Sequence, residues 1–390
     1  TSLILFSKFI LISPLYFIFK LINLHLIKIK TLEEKMRRKV YLLVSVLLIS
    51  VLLFAGCSKS SAPGAHAAEE GNKEVVSDGK VYELKISHLT TEIDPLHIGY
   101  EYLNDILTER TNGRIKVTIY GNKQLANSDR EQAEMVQNGL AQLGTTPAFT
   151  VAAMNADLKE WFIYDYPYLM PDTKILYDFT DSEIGDEMRA EAEEKLNIKV
   201  YPGFPLGWVK ISSNSKPILE PADVKGLKIR TTSSEMYMEL VKSFGASPTP
   251  VNYGELFTAL QQGTVDGMMT TTSLYESDRF YEVQKYMGAI DPFTIFHIPL
   301  VNGEWYAKLP DDLKLIFDEC MNEYVLKMRE LEDAKEITAK EAMVKYGMEL
   351  TEYTPEQKQK FVDLGLEVVD NMAHVAGEDF VAKVKEFLSK

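Results

Sequence analysis

Hydrophobic and polar residues along the chain form alternating runs separated by stretches with helical spacing. Apolar and polar side chains alternate over 81–86 and again over 114–120, as they do in half-buried strands. Helical stretches follow at about 96–111 and about 128–138, and a third strand is predicted to end near residue 146. This order of strands and helices predicts an α/β sheet with crossover helices.

The same order of elements returns in the second part of the chain. A short strand is predicted over 227–230, and the helix that follows it can be capped by Ser233 or Ser234. Asn252 and Glu255 have the spacing of a capping box, which predicts the start of another helix. A further predicted strand follows that helix, so the second part repeats the α/β pattern.

These elements divide the chain into two predicted α/β units, 81–207 and 208–295. No proline or glycine interrupts 311–346, and apolar residues recur there at spacings of three and four, which predicts one helix of more than thirty residues. Such a helix is long enough to run along both units, either as a spine that couples them or as a packing helix. We expect about 296–330 to return to the first unit and about 331–390 to pack against the second.

The segment 36–56 has the pattern of a secretory signal peptide. Three basic residues after Met36 are followed by seventeen uncharged residues and then by Cys57. The last four residues, Phe54 to Cys57, resemble the lipobox of bacterial lipoproteins, in which the cysteine becomes the lipidated first residue. Phe54 stands where that motif usually has leucine. The resemblance implies that Cys57 carries a lipid and holds the protein at a membrane surface; an uncleaved N-terminal anchor is the alternative.

Residues 1–35 fit neither the signal nor a folded domain. The two glutamates and the lysine just before Met36 must be encoded by purines alone, as a ribosome-binding site is, so we expect 1–35 to be a leader that is not translated. A transmembrane helix is the alternative, although it would place Lys8 and Lys20 in or near lipid. The Ser-, Ala-, Gly- and Glu-rich segment 57–80 is predicted to be a flexible tether.

Composition and charge narrow the classes of function. The chain is 46% hydrophobic and 25% charged, which is typical of globular proteins. Residues 57–390 carry 34 basic and 55 acidic side chains, so nucleic-acid binding is excluded and an anionic ligand needs a local basic site. With Cys57 lipidated, Cys320 remains as a single thiol that cannot form an internal disulfide, and its place on an apolar helix stripe predicts an inert, buried side chain.

The sequence lacks the motifs of the common enzyme classes. It has no glycine-rich phosphate loop, no nucleophile elbow, no histidine pair at metal-ligand spacing and no cysteine pair. Many of the carboxylates lie on predicted helix faces exposed to solvent. We therefore predict no catalytic residue, no cofactor and no metal site, with a catalytic pair assembled from distant segments as the alternative.

Short motifs recur in a fixed order along the chain, most densely in 216–277. They are Lys216-Pro217-Ile218, 221–231, 245–250, 255–261, Val265-Asp266-Gly267, 110–115, 121–125, 165–169 and 280–286. This ordered set resembles the solute-binding proteins of tripartite ATP-independent periplasmic (TRAP) transporters, the DctP-like family, and the resemblance extends over about 83–385 in family order.

This resemblance implies a fold and a function. The fold is a two-lobed α/β periplasmic-binding-protein architecture that closes on its ligand by a hinge, with the long helix as spine. The function is that of an extracytoplasmic receptor that captures a small organic carboxylate and delivers it to the small and large membrane subunits of a TRAP transporter. A receptor feeding a sensor or chemoreceptor would use the same fold, and an enzyme acting on an organic acid is the alternative from a different class.

Arg230 is the principal candidate for ligand binding. It ends a predicted strand just before a helix, a position that faces the cleft of a two-lobed α/β protein. Its planar guanidinium can bind a carboxylate through two parallel hydrogen bonds. The resemblance implies the same role, because the matching arginine of the family binds the ligand's carboxylate. An arginine paired with a neighbouring acid is the alternative.

The resemblance implies further ligand-binding candidates. Lys210 stands where the family commonly has a second arginine, with a solvated lysine as the alternative, and Trp208 lies two residues before it. Tyr253 matches an aromatic position that packs on the ligand, and Thr270 replaces an asparagine that contacts it. Thr146 is the candidate from the other lobe. Because methionines accompany Thr270 where many members have polar residues, we expect a small or aromatic monocarboxylate as ligand.

Overall fold

One mixed β-sheet organises residues 79–389, which are the residues described by the computed structural model. Its order is β2-β1-β3-β10-β5-β8-β6-β7, with β4 beside β10, β9 beside β5 and β11 beside β9. The strands are β1 Tyr82–Ser87, β2 Ile115–Tyr120, β3 Leu143–Pro147, β4 Ile198–Val200, β5 Phe204–Ser213, β6 Lys228–Thr231, β7 Ser247–Pro250, β8 Gly267–Thr271, β9 Tyr286–Gly288, β10 Thr294–Asn302 and β11 Glu349–Thr351.

Helices connect the parallel strands in both halves of this sheet. They are α1 Pro95–Arg110, α2 Asp129–Gln137, α3 Ala148–Met154, α4 Thr173–Thr180, α5 Glu183–Leu196, α6 Glu235–Ser243, α7 Leu256–Gln261, α8 Thr272–Ser277, α9 Gly303–Ala307, α10 Asp311–Lys345, α11 Pro355–Asn371, α12 Ala373–Ala376 and α13 Glu378–Leu388. Short 3-10 segments add Ala156–Asp165, Pro221–Val224, Tyr253–Glu255 and Phe280–Glu282.

The sheet consists of two parallel halves joined by antiparallel strands. In the first half β1 pairs in parallel with β2 and β3, and in the second half β6 pairs in parallel with β7 and β8. Strand β10 is antiparallel to β3 and β5, and β5 is antiparallel to β8. The predicted α/β sheet with crossover helices is confirmed, and the carboxyl ends of the parallel strands in each half provide the edge where ligands bind in such folds.

The long predicted helix is confirmed as α10, which has 35 residues. It packs against α1, α8 and β5, so it contacts elements from both halves of the sheet. The contact with α1 is close at Gly99, where an added Cβ would overlap the Met328 sulfur. Cys320 lies fully buried on its apolar face, as predicted, and burial raises the pKa of its thiol to about 11.

The C-terminal helices differ from the expectation that about 331–390 pack against the second unit. Helix α11 contacts α6 of the second half, but α12 and α13 contact the 3-10 segment Ala156–Asp165 and α4 of the first half. The physical reason is the apolar face of α13, because Phe380, Val381 and Val384 are buried in one hydrophobic cluster with Trp161 and Phe179.

Two predicted helix caps are replaced by other contacts. The capping box of Asn252 and Glu255 is wrong, because Asn252 makes no side-chain cap and the chain forms the 3-10 segment Tyr253–Glu255 before α7 begins. Ser234 is the N-cap residue of α6, but its hydroxyl does not cap the helix. It donates instead to the Asp165 carboxylate at 2.6 Å, and so connects the second half of the sheet with the first.

No helix of the part of the chain described here combines the length and the apolar character needed to cross a membrane. The expectations for 1–35, for the signal peptide 36–56, for Cys57 and for all but the last two residues of the tether 57–80 lie outside the described residues.

The buried Asp165 predicts a pH-dependent stability. Burial raises its pKa from 3.8 to about 7, so between these values the folded protein holds a proton that the unfolded chain releases. Its contribution to the free energy of unfolding is therefore complete below pH 3.8 and is lost as the pH rises through about 7, at about 1.4 kcal/mol per pKa unit. Asp165→Asn keeps an acceptor for Ser234 and does not titrate. Denaturant unfolding should show the variant gaining stability relative to wild type between pH 5 and pH 8.

The control for this measurement is Asp105→Asn, because Asp105 is exposed on α1. It carries the same change of residue type, and its effect on the free energy of unfolding is subtracted from that of Asp165→Asn at each pH. A corrected Asp165→Asn difference that is independent of pH would contradict a protonated Asp165 in the folded protein.

Candidate ligand-binding site

Two cavities meet at Arg230, at the edge where the two halves of the sheet face each other. Their volumes are about 440 Å³ and about 40 Å³, and the larger one is of the size that holds a small organic molecule. Both are lined by Asp129, Arg230, Thr232 and Tyr253.

The larger cavity has one wall from each half of the sheet. The first wall is the beginning of α2 together with α3, and the second is the chain that follows β6 and β7. The first wall consists of Ser128, Asp129, Arg130, Phe149, Thr150 and Ala153, and the second of Arg230, Thr232, Ser233 and 250–253 with Glu255. A molecule bound in this cavity would therefore contact both halves.

Arg230 brings a positive charge to the meeting point of the cavities. It lies in β6 beside β7 and β8, and its side chain is 4% exposed. Its Nε donates to the carbonyl oxygen of Val251 at 3.0 Å, and its two terminal nitrogens have no partner among residues 79–389. Arg230 forms no ion pair with the described residues at contact distance, although the charge of Asp129 is near enough to act on its pKa. Burial lowers the pKa of its guanidinium, which nonetheless stays protonated.

Asp129 faces this charge from the opposite wall, as the first residue of α2. Its carboxylate makes no hydrogen bond or ion pair with another described side chain. Burial raises its pKa to about 6, and the nearby charge of Arg230 opposes that rise. Asp129 was not among the predicted site residues, because the Ser-Asp-Arg-Glu stretch has the pattern of an ordinary helix start. Its position at the end of a strand-to-helix connection is the signal that could have identified it.

Tyr253 and Thr270, two of the predicted site residues, also line the cavities. Tyr253 borders both of them, and its hydroxyl donates to Asp278 at 2.5 Å. Thr270 borders the smaller cavity, where its buried Oγ1 has no partner within residues 79–389. His297 lies on the same cavity, and burial lowers its pKa to about 3, so it is neutral at physiological pH.

The other three predicted residues do not line either cavity. Lys210 is 2% exposed and forms ion pairs with Asp291 and, at 3.0 Å, with Glu336. The alternative of a solvated lysine is therefore wrong. Trp208 is partly exposed on β5. Thr146 is buried, and its hydroxyl donates to the backbone oxygen of Asp129 at 3.4 Å, so it contacts the residue that does line the site.

Polar contacts join the two walls around the larger cavity. Lys123 from the first half forms an ion pair with Asp278 of the second at 3.0 Å and lies 5.0 Å from the centre of the Tyr253 ring. The amide of Gly254 donates to the carbonyl oxygen of Asn127 at 3.2 Å. The two halves are thus in contact beside the cavity. Residues 79–389 contain no group of three or more His, Cys, Asp or Glu side chains placed to hold a metal ion.

A family model for DctP, the bacterial extracellular solute-binding proteins of family 7, matches residues 86–375. The chain belongs to this family. The family resemblance found in the sequence is confirmed. Members of this family are solute-binding receptors of transport systems, and TRAP solute-binding proteins are among them.

Two relatives illustrate the range of the DctP family. The 2,3-diketo-L-gulonate-binding periplasmic protein YiaO of Escherichia coli (strain K12) is 31% identical over 205 residues, which cover 53% of this chain and 61% of that protein. The C4-dicarboxylate-binding periplasmic protein DctP of Vibrio cholerae is 28% identical over 281 residues, which cover 72% of this chain and 83% of that protein.

Solved structures of DctP-family proteins have the same fold. A TRAP periplasmic solute-binding protein from Sulfurospirillum deleyianum with bound succinate is 25% identical, with a TM-score of 0.74 over 78% of this chain and 99% of that one. The sugar acid binding protein DctPAm from Advenella mimigardefordensis in complex with galactonate has a TM-score of 0.75 over 80% of this chain and 98% of that one, at 19% identity. The predicted two-lobed α/β architecture is confirmed.

Proposed function

We propose that this protein is an extracytoplasmic receptor that captures a small organic carboxylate and delivers it to the membrane subunits of a TRAP transporter. The observation that carries the proposal is Arg230, a residue that is 4% exposed and whose terminal guanidinium nitrogens make no hydrogen bond with the described residues. A buried guanidinium whose donors are not all matched costs free energy, and an anionic ligand in the adjoining cavity would accept hydrogen bonds from them.

A carboxylate suits this position better than other anions. Its two oxygens match the two terminal nitrogens of a guanidinium in a planar, bidentate pair. Tyr253 and Phe149 line the larger cavity and Tyr237 lies near the guanidinium, so aromatic side chains restrict the space around that pair. We expect a small or aromatic acid, because the larger cavity of about 440 Å³ has room for either.

The other predicted residues take part in different ways in this proposal. Tyr253 packs on the ligand, and the unpartnered hydroxyl of Thr270 contacts it from the smaller cavity. Thr146 positions the first turn of α2 through its bond to Asp129. Lys210 and Trp208 act from outside the cavities. Lys210 on β5 holds Asp291, which lies just before β10, and Glu336 of α10.

Replacing Arg230 should remove most of the affinity for the acid. A thermal-shift screen of organic acids identifies a ligand, and titration calorimetry then compares the variants. Loss of a buried bidentate contact costs about 2–5 kcal/mol, so Arg230→Ala should bind that acid roughly 30- to several thousand-fold more weakly. Arg230→Lys should recover only part of the loss, because an ammonium keeps the charge without the two-point geometry.

Lys210→Ala is the matched control, since it also removes a buried cation but one outside both cavities. It should lower the melting temperature, because Asp291 and Glu336 lose a buried cation and keep only Lys358 and Lys340 as their basic partners, while the dissociation constant stays within about threefold of wild type. Arg230→Ala binding within the same threefold would show that Arg230 is not the carboxylate anchor.

Ligand binding should bring the two halves together, because the larger cavity has a wall from each. Small-angle X-ray scattering with the acid found in the screen should show a smaller radius of gyration for the liganded protein. Lys123→Ala removes an ion pair between the halves and should lower the affinity roughly two- to fivefold. A radius that stays unchanged at saturation would count against closure.

Attachment to a membrane through a lipid on Cys57 completes the proposal. It is supported by the sequence alone, through the signal peptide 36–56 and the lipobox-like residues before Cys57. A lipid there would hold the receptor near the membrane subunits without a spanning helix. Labelling of cells with a radioactive fatty acid should mark the protein, and Cys57→Ala should abolish the label; a protein that is exported unlabelled would refute the lipid.

A further inference from the structure

We propose that the site selects monocarboxylates that carry a hydrogen-bond donor, a hydroxyl or an ammonium group, and that it discriminates against dicarboxylates. This inference rests on the proposed function, because it takes Arg230 as the anchor of the first carboxylate. The residue that makes the selection is Asp129, which lines both cavities together with Arg230.

The carboxylate of Asp129 accepts from its own backbone amide and has acceptor capacity left over. Its carboxylate oxygens make no hydrogen bond to another described side chain, and it forms no ion pair with Arg230 although both line the same cavities. An ionised carboxylate can only accept hydrogen bonds. A ligand that places a hydroxyl or ammonium group toward Asp129 would therefore satisfy it, in the same way that the ligand's carboxylate satisfies Arg230.

A second carboxylate on the ligand would lack a cation in these cavities. Arg130 is the other basic side chain among the residues that line them, and it is already paired with Glu134 at 2.5 Å and donates to the Ala153 carbonyl oxygen at 2.5 Å. Glu255 adds a second acid to the wall of the larger cavity. Beyond the Arg230 anchor, the charges around the ligand therefore repel a second anion.

The desolvation of Asp129 supports the same preference. Burial raises the pKa of its carboxyl to about 6, which means that the charged form is poorly solvated at this position. A donor from the ligand stabilises that form, whereas a second carboxylate beside it destabilises it further. Asp129 should therefore strengthen the binding of a ligand that carries a donor and weaken the binding of a dicarboxylate. The effect of removing Asp129 on affinity should accordingly depend on the ligand.

The experiment uses two series of four acids with matched skeletons. The first is butyrate, 2-hydroxybutyrate, 2-aminobutyrate and succinate; the second is phenylacetate, mandelate, phenylglycine and phenylmalonate. Dissociation constants at pH 8 are measured for the full-length protein, Asp129→Ala, Asp129→Asn and Arg230→Ala. In at least one series the wild type should bind a donor-bearing acid at least tenfold more tightly than both the unsubstituted acid and the dicarboxylate.

Asp129→Ala should then weaken the donor-bearing acid at least tenfold and, by removing a negative charge near Arg230, improve binding of the unsubstituted acid and of the dicarboxylate. Asp129→Asn keeps an acceptor without the charge, so it should restore binding of a hydroxy acid and not of an amino acid; this arm distinguishes the two donors. Asp178→Ala, an exposed acid on α4 outside both cavities, is the control and should change none of these values.

The outcomes separate this inference from the function on which it rests. Acids that depend on Arg230 but bind with no preference for a donor, or an Asp129→Ala effect that is equal for all acids of a series, would overturn the selection by Asp129 and leave the receptor intact. Failure of every acid in both series to bind at millimolar concentration would also overturn it. Binding that Arg230→Ala does not weaken would overturn the carboxylate anchor itself.

Discussion

The buried charge of Arg230 is the constraint around which the site is built. A guanidinium in a protein interior costs free energy unless its donors and its charge are matched. Here the Val251 carbonyl matches one donor, and the rest of the group remains turned to a cavity. The parallel pairing of β6 with β7 and β8 holds the side chain at this place, and α2 places the opposite charge of Asp129 across the gap. The guanidinium therefore has donors left for a ligand, and they lie at the cavity between the two halves.

The same sheet explains how such a gap can open and close. The halves are joined by the long antiparallel strands β5 and β10 and by α10, whose apolar face belongs to the main hydrophobic core. Beside the cavity the contacts between the halves are polar, such as Lys123 with Asp278 and Gly254 with Asn127. Polar groups can exchange their partners for water at a small cost in free energy. Exposing the buried apolar face of α10 to water would cost much more. The motion that costs the least free energy is therefore one in which the two halves separate at the cavity while β5, β10 and α10 stay packed.

Local patterns in the sequence predicted most of the fold, and long-range contacts account for what they missed. Periodicity was sufficient for the strands around Ile86 and for the long helix α10, because each depends on its own spacing of apolar residues. The Asn252 capping box failed because the chain there follows the cavity wall, and α13 packs elsewhere than expected because Phe380 meets residues more than two hundred positions earlier. In the site, the position of Arg230 followed from a strand end. The environment of Lys210 did not, since Asp291 and Glu336 approach it from other elements.

Asp129 shows why the fold alone does not decide the ligand. Relatives that share this architecture are named for a C4-dicarboxylate, for 2,3-diketo-L-gulonate and for a sugar acid, so one scaffold serves anions of different charge. What distinguishes them physically is the set of charges that meets the part of the ligand beyond its anchored carboxylate. In this chain Lys210 lines neither cavity and is paired with Asp291 and Glu336, while Asp129 presents an acceptor to the cavity. A lysine already held by two acids and an acid at the cavity wall act in the same direction, and both favour a ligand that donates a hydrogen bond where a dicarboxylate would bring a second charge.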